Sequence, residues 1–90
     1  MENEIILKIS SKSNPNSVAG AIVAGLKNTK QIELQAIGAG AVNQSVKAIA
    51  IARSFVIAGG IDLICVPSFC AVNVEEESKT GIRLMVKEAK

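Results

Sequence analysis

Gln31–Gly60 reads QIELQAIGAGAVNQSVKAIAIARSFVIAGG, and this stretch decides the fold. Its first part alternates, with Ile32, Leu34 and Ala36 on one side and Glu33 and Gln35 on the other, the period of a strand with one buried face. After Gly38-Ala39-Gly40-Ala41-Val42, Asn43 is placed to cap a long helix running to about Ala58, with Gly59-Gly60 as its left-handed stop. That helix is apolar over well more than the ~100° stripe that one small sheet covers. Val46, Ala50, Ile51 and Ile57, in some division with Ile49, Phe55 and Val56, are therefore surplus, and further copies of the chain are expected to bury them. Arg53 lies inside the same apolar run and is expected at the oligomer interface, snorkelling or in a salt bridge.

Working outward, Glu4 to Ser10 alternates with Ile5, Leu7 and Ile9 inward, a first strand. Asn14-Pro15 supplies a cap and a first helical residue, so a helix follows, with Val18, Ala21, Ile22, Gly25 and Leu26 at helical spacing. Gly20 and Gly25 are expected to let another backbone approach closely. Beyond the long helix, Ile61 to Val66 is nearly continuous in apolar residues and reads as a strand buried on both faces, interrupted by Pro67 at a bulge or an edge. Phe69 to Glu75 carries the strand on, Glu75 to Gly81 forms a hairpin tip, and Ile82, Leu84 and Val86 mark the returning strand. The order is βαβαββ, an α+β two-layer sandwich with a mixed four-stranded sheet and both helices on one face, in a single domain spanning residues 1–90. The open face is expected to be mostly wet, showing Ile6, Lys8, Glu33, Gln35, Arg83, Met85 and Lys87.

Composition narrows the functions. Ninety residues with no His, Trp or Tyr cannot assemble a Ser-His-Asp or Cys-His triad, so an enzyme is not expected. Cys65 and Cys70 are five apart, on opposite faces of a strand and roughly 16 Å from one another, too far for a bridge. They are expected to be buried reduced thiols, and neither a metal site nor a cofactor is expected. Ten basic residues against eight acidic ones give no basic footprint that would establish nucleic-acid binding alone. The acidic Met1-Glu2-Asn3-Glu4 start has no secretory design, and no uncharged stretch reaches the ~18 residues that span a bilayer, so a cytoplasmic protein without membrane contact is expected.

Two segments carry candidate chemistry. Gly38-Ala39-Gly40 follows a strand and opens a helix, the setting of a phosphate-binding turn; Asn43, Gln44 and Lys47 stand beside it. Alternatively the glycines only let the turn pass close to a neighbouring subunit. A dinucleotide site is not expected, since the chain is too short for both halves and Asp62 precedes its strand. Lys12, flanked by Ser11, Ser13 and Asn14, is the leading single phosphate contact, and Lys79 in the hairpin is a further candidate. Arg83 and Lys87 share a strand face with Lys8 and Glu33, which reads as cross-strand pairing. Phe55 and Phe69 fall in core patterns, leaving no aromatic platform for stacking bases.

Ser17-Val18-Ala19-Gly20-Ala21, Gln35 to Arg53 and Asp62-Leu63-Ile64-Cys65-Val66-Pro67 resemble the bacterial stage V sporulation protein S family, in blocks covering nearly the whole chain. The resemblance implies a small cytosolic regulator of endospore development with a fold similar to the Alba chromatin proteins and to the C-terminal domain of translation initiation factor three. Alba proteins dimerise and bind DNA or RNA through the loop after the first strand, the loop entering the second helix and the final hairpin. Those elements correspond here to Ser11–Asn14, Gly38–Gln44 and Glu75–Thr80. Gly40 and Gln44 stand where Alba proteins usually place Arg or Lys, and Glu75, Glu76 and Glu77 stand where a basic arm is expected, so weak, phosphate-dominated binding is implied. The reading is a homo-oligomer, dimer or tetramer, that binds nucleic acid in a sporulation or similar developmental programme. The rival is a protein-interaction module whose acidic hairpin and apolar helix dock a regulatory partner without nucleic acid.

Overall fold

The computed structural model describes residues 4–89; Met1-Glu2-Asn3 and Lys90 lie outside the described residues. The elements run β1 (Ile6–Ile9), α1 (Pro15–Gly25), β2 (Gln31–Ala36), α2 (Ala39–Val56), a 3-10 turn (Ile57–Gly59), β3 (Leu63–Val74) and β4 (Glu77–Glu88). The sheet order is β1-β2-β4-β3, with β1 parallel to β2 and β4 antiparallel to both β2 and β3. The βαβαββ order and the mixed four-stranded sheet are as expected from the residue pattern.

Alternation places the core. Ile32, Leu34 and Ala36 of central β2 are fully buried, and Ile9, Leu63, Leu84 and Val86 join them from the other strands. From the helices, Ala19 and Ile22 of α1 and Ala48, Ile49 and Ala52 of α2 close the layer. Each Ile or Leu removed from water here contributes about 1.5–3 kcal/mol. Along its inner face α2 is built from Ala41, Ser45, Ala48 and Ala52, and the buried Ser45 hydroxyl donates to the Ala41 carbonyl at 2.8 Å. These short side chains let the helix lie close to the sheet.

Several local expectations change. Gly38, with φ of 92°, caps α2, so Asn43 sits inside the helix on its exposed side rather than at the cap. A glycine reaches this backbone conformation without strain, and so begins the helix where no side chain bonds its first turn. The stop is at Gly60, φ 91°, after the 3-10 turn. In α1, Gly25 is the close approach, to the Ile32 and Ile5 side chains and not to a backbone, while Gly20 faces open space.

β3 is not buried on both faces. It is an edge strand paired only with β4, so Ile64 and Val66 remain exposed on the open face while Leu63 and Cys65 turn toward the helices. Pro67 sits in unbroken register opposite Leu84, tolerated because an edge strand needs no bond on its far side. The hairpin tip is tight: Val74 faces Glu77 directly and only Glu75 and Glu76 connect them, so β4 starts five residues earlier than Ile82. Both thiols are free and half-buried rather than buried, as the edge position leaves β3 partly open. Phe55 and Phe69, expected in the core, are 67% and 76% exposed. Phe69 sits on the unpaired-edge strand, where no second neighbouring strand stands beside it.

Candidate nucleic-acid interface

The loop after β1 is a turn that closes on itself. The Ser13 amide donates to the Ser10 carbonyl at 3.1 Å, the Ser10 amide to Ser13 Oγ at 2.9 Å, and the Lys12 amide to Ser10 Oγ at 3.1 Å. Asn14 Oδ1 then accepts the Asn16 and Ser17 amides at 2.8 and 3.3 Å, capping α1. Ser13 and Asn14 are thus occupied in building the turn. Ser11 and Lys12 stay exposed at its apex.

The second loop is locked onto the first. Gln44 Nε2 donates to the Ser13 carbonyl at 2.9 Å, and a Cβ on Gly40 would meet the Ser11 Cβ at 2.8 Å. Gly40 therefore serves a close approach within the chain, to Ser11. No side chain caps α2 and its first turn holds no acid, so the Ala39, Gly40 and Ala41 amides have no intrahelical acceptor. The positive end of α2 and the Lys12 turn consequently share one pole of the molecule. A cleft of about 580 Å³ opens beside them, lined among others by Lys8, Ser11, Gln35, Gly38, Gly40 and Asn73.

Lys8 and Asn73 were not singled out by pattern. Lys8 was legible as an outward position four residues before Lys12; the cleft brings it together with Ser11 and the Gly38–Gly40 loop. The register aligns Lys8, Gln35, Arg83 and Ser68 in one row across the open face. In that row Arg83 Nε donates to Ser68 Oγ at 3.2 Å, and Gln35 Nε2 donates to Glu33 Oε2 at 2.7 Å. Lys79 lies on the arm opposite Val72, on the same face as Arg83 by strand parity. Lys47 and Asn43 are exposed on α2.

The surplus apolar stripe divides as follows. Val46 is 53% and Ile57 42% exposed, Ala50 is exposed between them, Ile51 is half-buried against the core, and Ile49 belongs to the core itself. Arg53 pairs within the chain, its Nε 2.7 Å from Asp62 Oδ1, with both side chains about half exposed. Burial pushes the Cys65 thiol pKa up. Among the described residues no group of three or more His, Cys, Asp and Glu is placed to hold a metal ion, and no helix is long and apolar enough to cross a membrane.

With this geometry in place the comparisons are specific. The family model described as Stage V sporulation protein S matches residues 5–89. The chain belongs to that family. Its fold is shared with Alba from Thermoplasma volcanium, which matches at a TM-score of 0.60 and 17% identity over 94% of this chain and 99% of that one. At that identity the likeness establishes an Alba-like fold and nothing about ligands. Membership in the stage V sporulation protein S family ties the chain to sporulation.

Proposed function

We propose that the chain is a cytoplasmic, non-catalytic regulator of sporulation that acts as an oligomer and binds nucleic acid weakly through phosphates. The observation that carries this reading is the lock between the two loops, Gln44 on Ser13 and Gly40 against Ser11, which holds the uncapped start of α2 beside the exposed Lys12. Amide donors, a helix N-terminus and an ammonium group at one pole suit a phosphate oxygen.

One copy offers few cations, and pairing remedies this. Val46 lies seven residues from Ala39, about 10 Å along the helix axis, so an interface over Val46 and Ala50 puts the loops of two copies within reach of one duplex or strand. Two weak sites joined in this way gain through effective concentration. Lys12, Ser11, the Ala39, Gly40 and Ala41 amides that follow Gly38, Lys47 and Lys79 make the contacts; Ser13, Asn14 and Gln44 hold the loops in shape.

Fluorescence polarisation with mixed-sequence DNA and RNA fragments at several salt concentrations tests the proposal. Affinity that falls steeply with salt and depends little on sequence is the expected result. Negligible binding at low salt would transfer the assignment to the rival, a protein-docking module, which the exposed Val46 stripe and the acidic hairpin also suit.

A further inference from the structure

The hairpin of β3 and β4 outruns the rest of the sheet. β2 accompanies β4 only from Ile82 to Lys87, whereas β3 and β4 stay paired out to Val74 and Glu77. β3 holds twelve residues, which rise roughly 36–40 Å, close to the 42 Å longest dimension of the molecule. Glu75 and Glu76 form the connection with φ of 51° and 65°. A two-residue connection with positive φ at both positions favours Asn-Gly or Asp-Gly, and other residues are strained there. Glutamates occupy both of these positions, and Glu77 follows as a third. All three are exposed.

At the other end lies a complementary surface. β1, β2 and β3 run in the same direction, so the arm tip marks one pole and the starts of β2 and β3 the opposite one. There a cleft of about 780 Å³ opens with Val56, Ile61 and Ile64 among its apolar walls. Among the described residues that line it, Lys27, Lys30 and Lys87 are basic and Glu88 is acidic.

We propose that the acidic arm tip of one copy docks in the lysine-lined cleft of the next, head to tail. Val72 and Val74, half-buried behind the carboxylates, meet the apolar wall while Glu75, Glu76 and Glu77 face the lysines. The two surfaces differ and lie at opposite poles, so the contact is heterologous and extends into an open row of copies. It is separate from pairing through the α2 stripe. Docking also neutralises carboxylates at the Lys12 pole that would repel phosphates, a consequence that rests on the proposed function.

The test is sedimentation velocity without nucleic acid, over a range of protein concentration at low and high salt, so that failure of the polyanion reading leaves its outcome untouched. Wild-type mass is expected to climb with concentration at low salt, past any fixed dimer, and to stop climbing at high salt. Glu75→Lys, Glu76→Lys and Glu77→Lys together, or Lys27→Glu with Lys87→Glu, each abolish the climb, and an equimolar mixture of the two variants restores it. Circular dichroism melts check that both fold; should the arm variant not fold, the cleft variant alone decides. A climb that persists in the cleft variant overturns the proposal, as does a mixture of folded variants that fails to associate. A wild-type chain of constant mass also overturns it, and one that in addition binds a synthetic acidic peptide at the cleft assigns that surface to a foreign segment.

Discussion

Gly40, at the second position of α2, faces Ser11 so closely that a Cβ there would lie 2.8 Å from the Ser11 Cβ and 3.6 Å from its Cα. The atom in the way is anchored directly to the backbone, so the turn itself must move. Gly40→Ala is expected to cost about 1–2 kcal/mol despite the better helix propensity of alanine, and to weaken polyanion retention. Gly20→Ala, where nothing lies within 4 Å, is the control and is expected to stabilise by roughly 0.5–1 kcal/mol. Urea unfolding of both variants checks the pair; equal effects would show that the two loops do not press on each other.

Asn14 bonds the first turn of α1 through the Asn16 and Ser17 amides. Asn14→Ala is expected to lower stability by about 1 kcal/mol. Asn14→Ser should recover most of it, whereas a merely solvated asparagine would leave both variants at wild-type stability in thermal melts.

Val46 stands 53% exposed on α2, and Ile57 continues the same stripe. Val46→Asp leaves the fold intact because the side chain touches solvent in one copy, but it places a carboxylate in the proposed interface. Light scattering is expected to show the dimer mass halved, with nucleic-acid affinity lowered about 10–100-fold as the paired sites separate. An unaltered mass would remove this stripe from the interface.

Burial raises the Cys65 thiol pKa, so its folded state favours the protonated form. Stability from this group is full below the ordinary thiol pKa and is lost as pH rises through the higher folded value. In a Cys70→Ala background, iodoacetamide labelling of Cys65 is expected to be slow near neutral pH and to accelerate on unfolding. Equal rates in folded and unfolded protein would contradict the burial.

Much of the fold was legible because its signals are local. Period-two alternation gave β1 and β2, and Asn14-Pro15 announced α1 within one residue. Asn43 misled because a side-chain cap can be recognised in sequence, whereas Gly38 caps by backbone conformation alone. Ile61 to Val66 looked buried on both faces because a run of apolar residues does not say whether its strand is central or at an edge; sheet order settles that, and it places β3 at the edge. The site divides the same way. Lys12 and the glycine loop stood out as segments, but the Gly40–Ser11 approach, the Gln44–Ser13 bond and the place of Lys8 in the cleft join residues about thirty positions apart and have no sequence signature.

The central claim is that the pole carrying Lys12 grips phosphates, and the salt dependence of binding with and without that ammonium tests it most directly. Binding of a mixed-sequence DNA fragment by wild-type protein and by Lys12→Glu, each verified at the same oligomer size, should give straight lines of log affinity against log salt. The account predicts weaker binding at every salt concentration for Lys12→Glu and a slope shallower by about one for each contacting copy. Superimposable lines for the two proteins would contradict it.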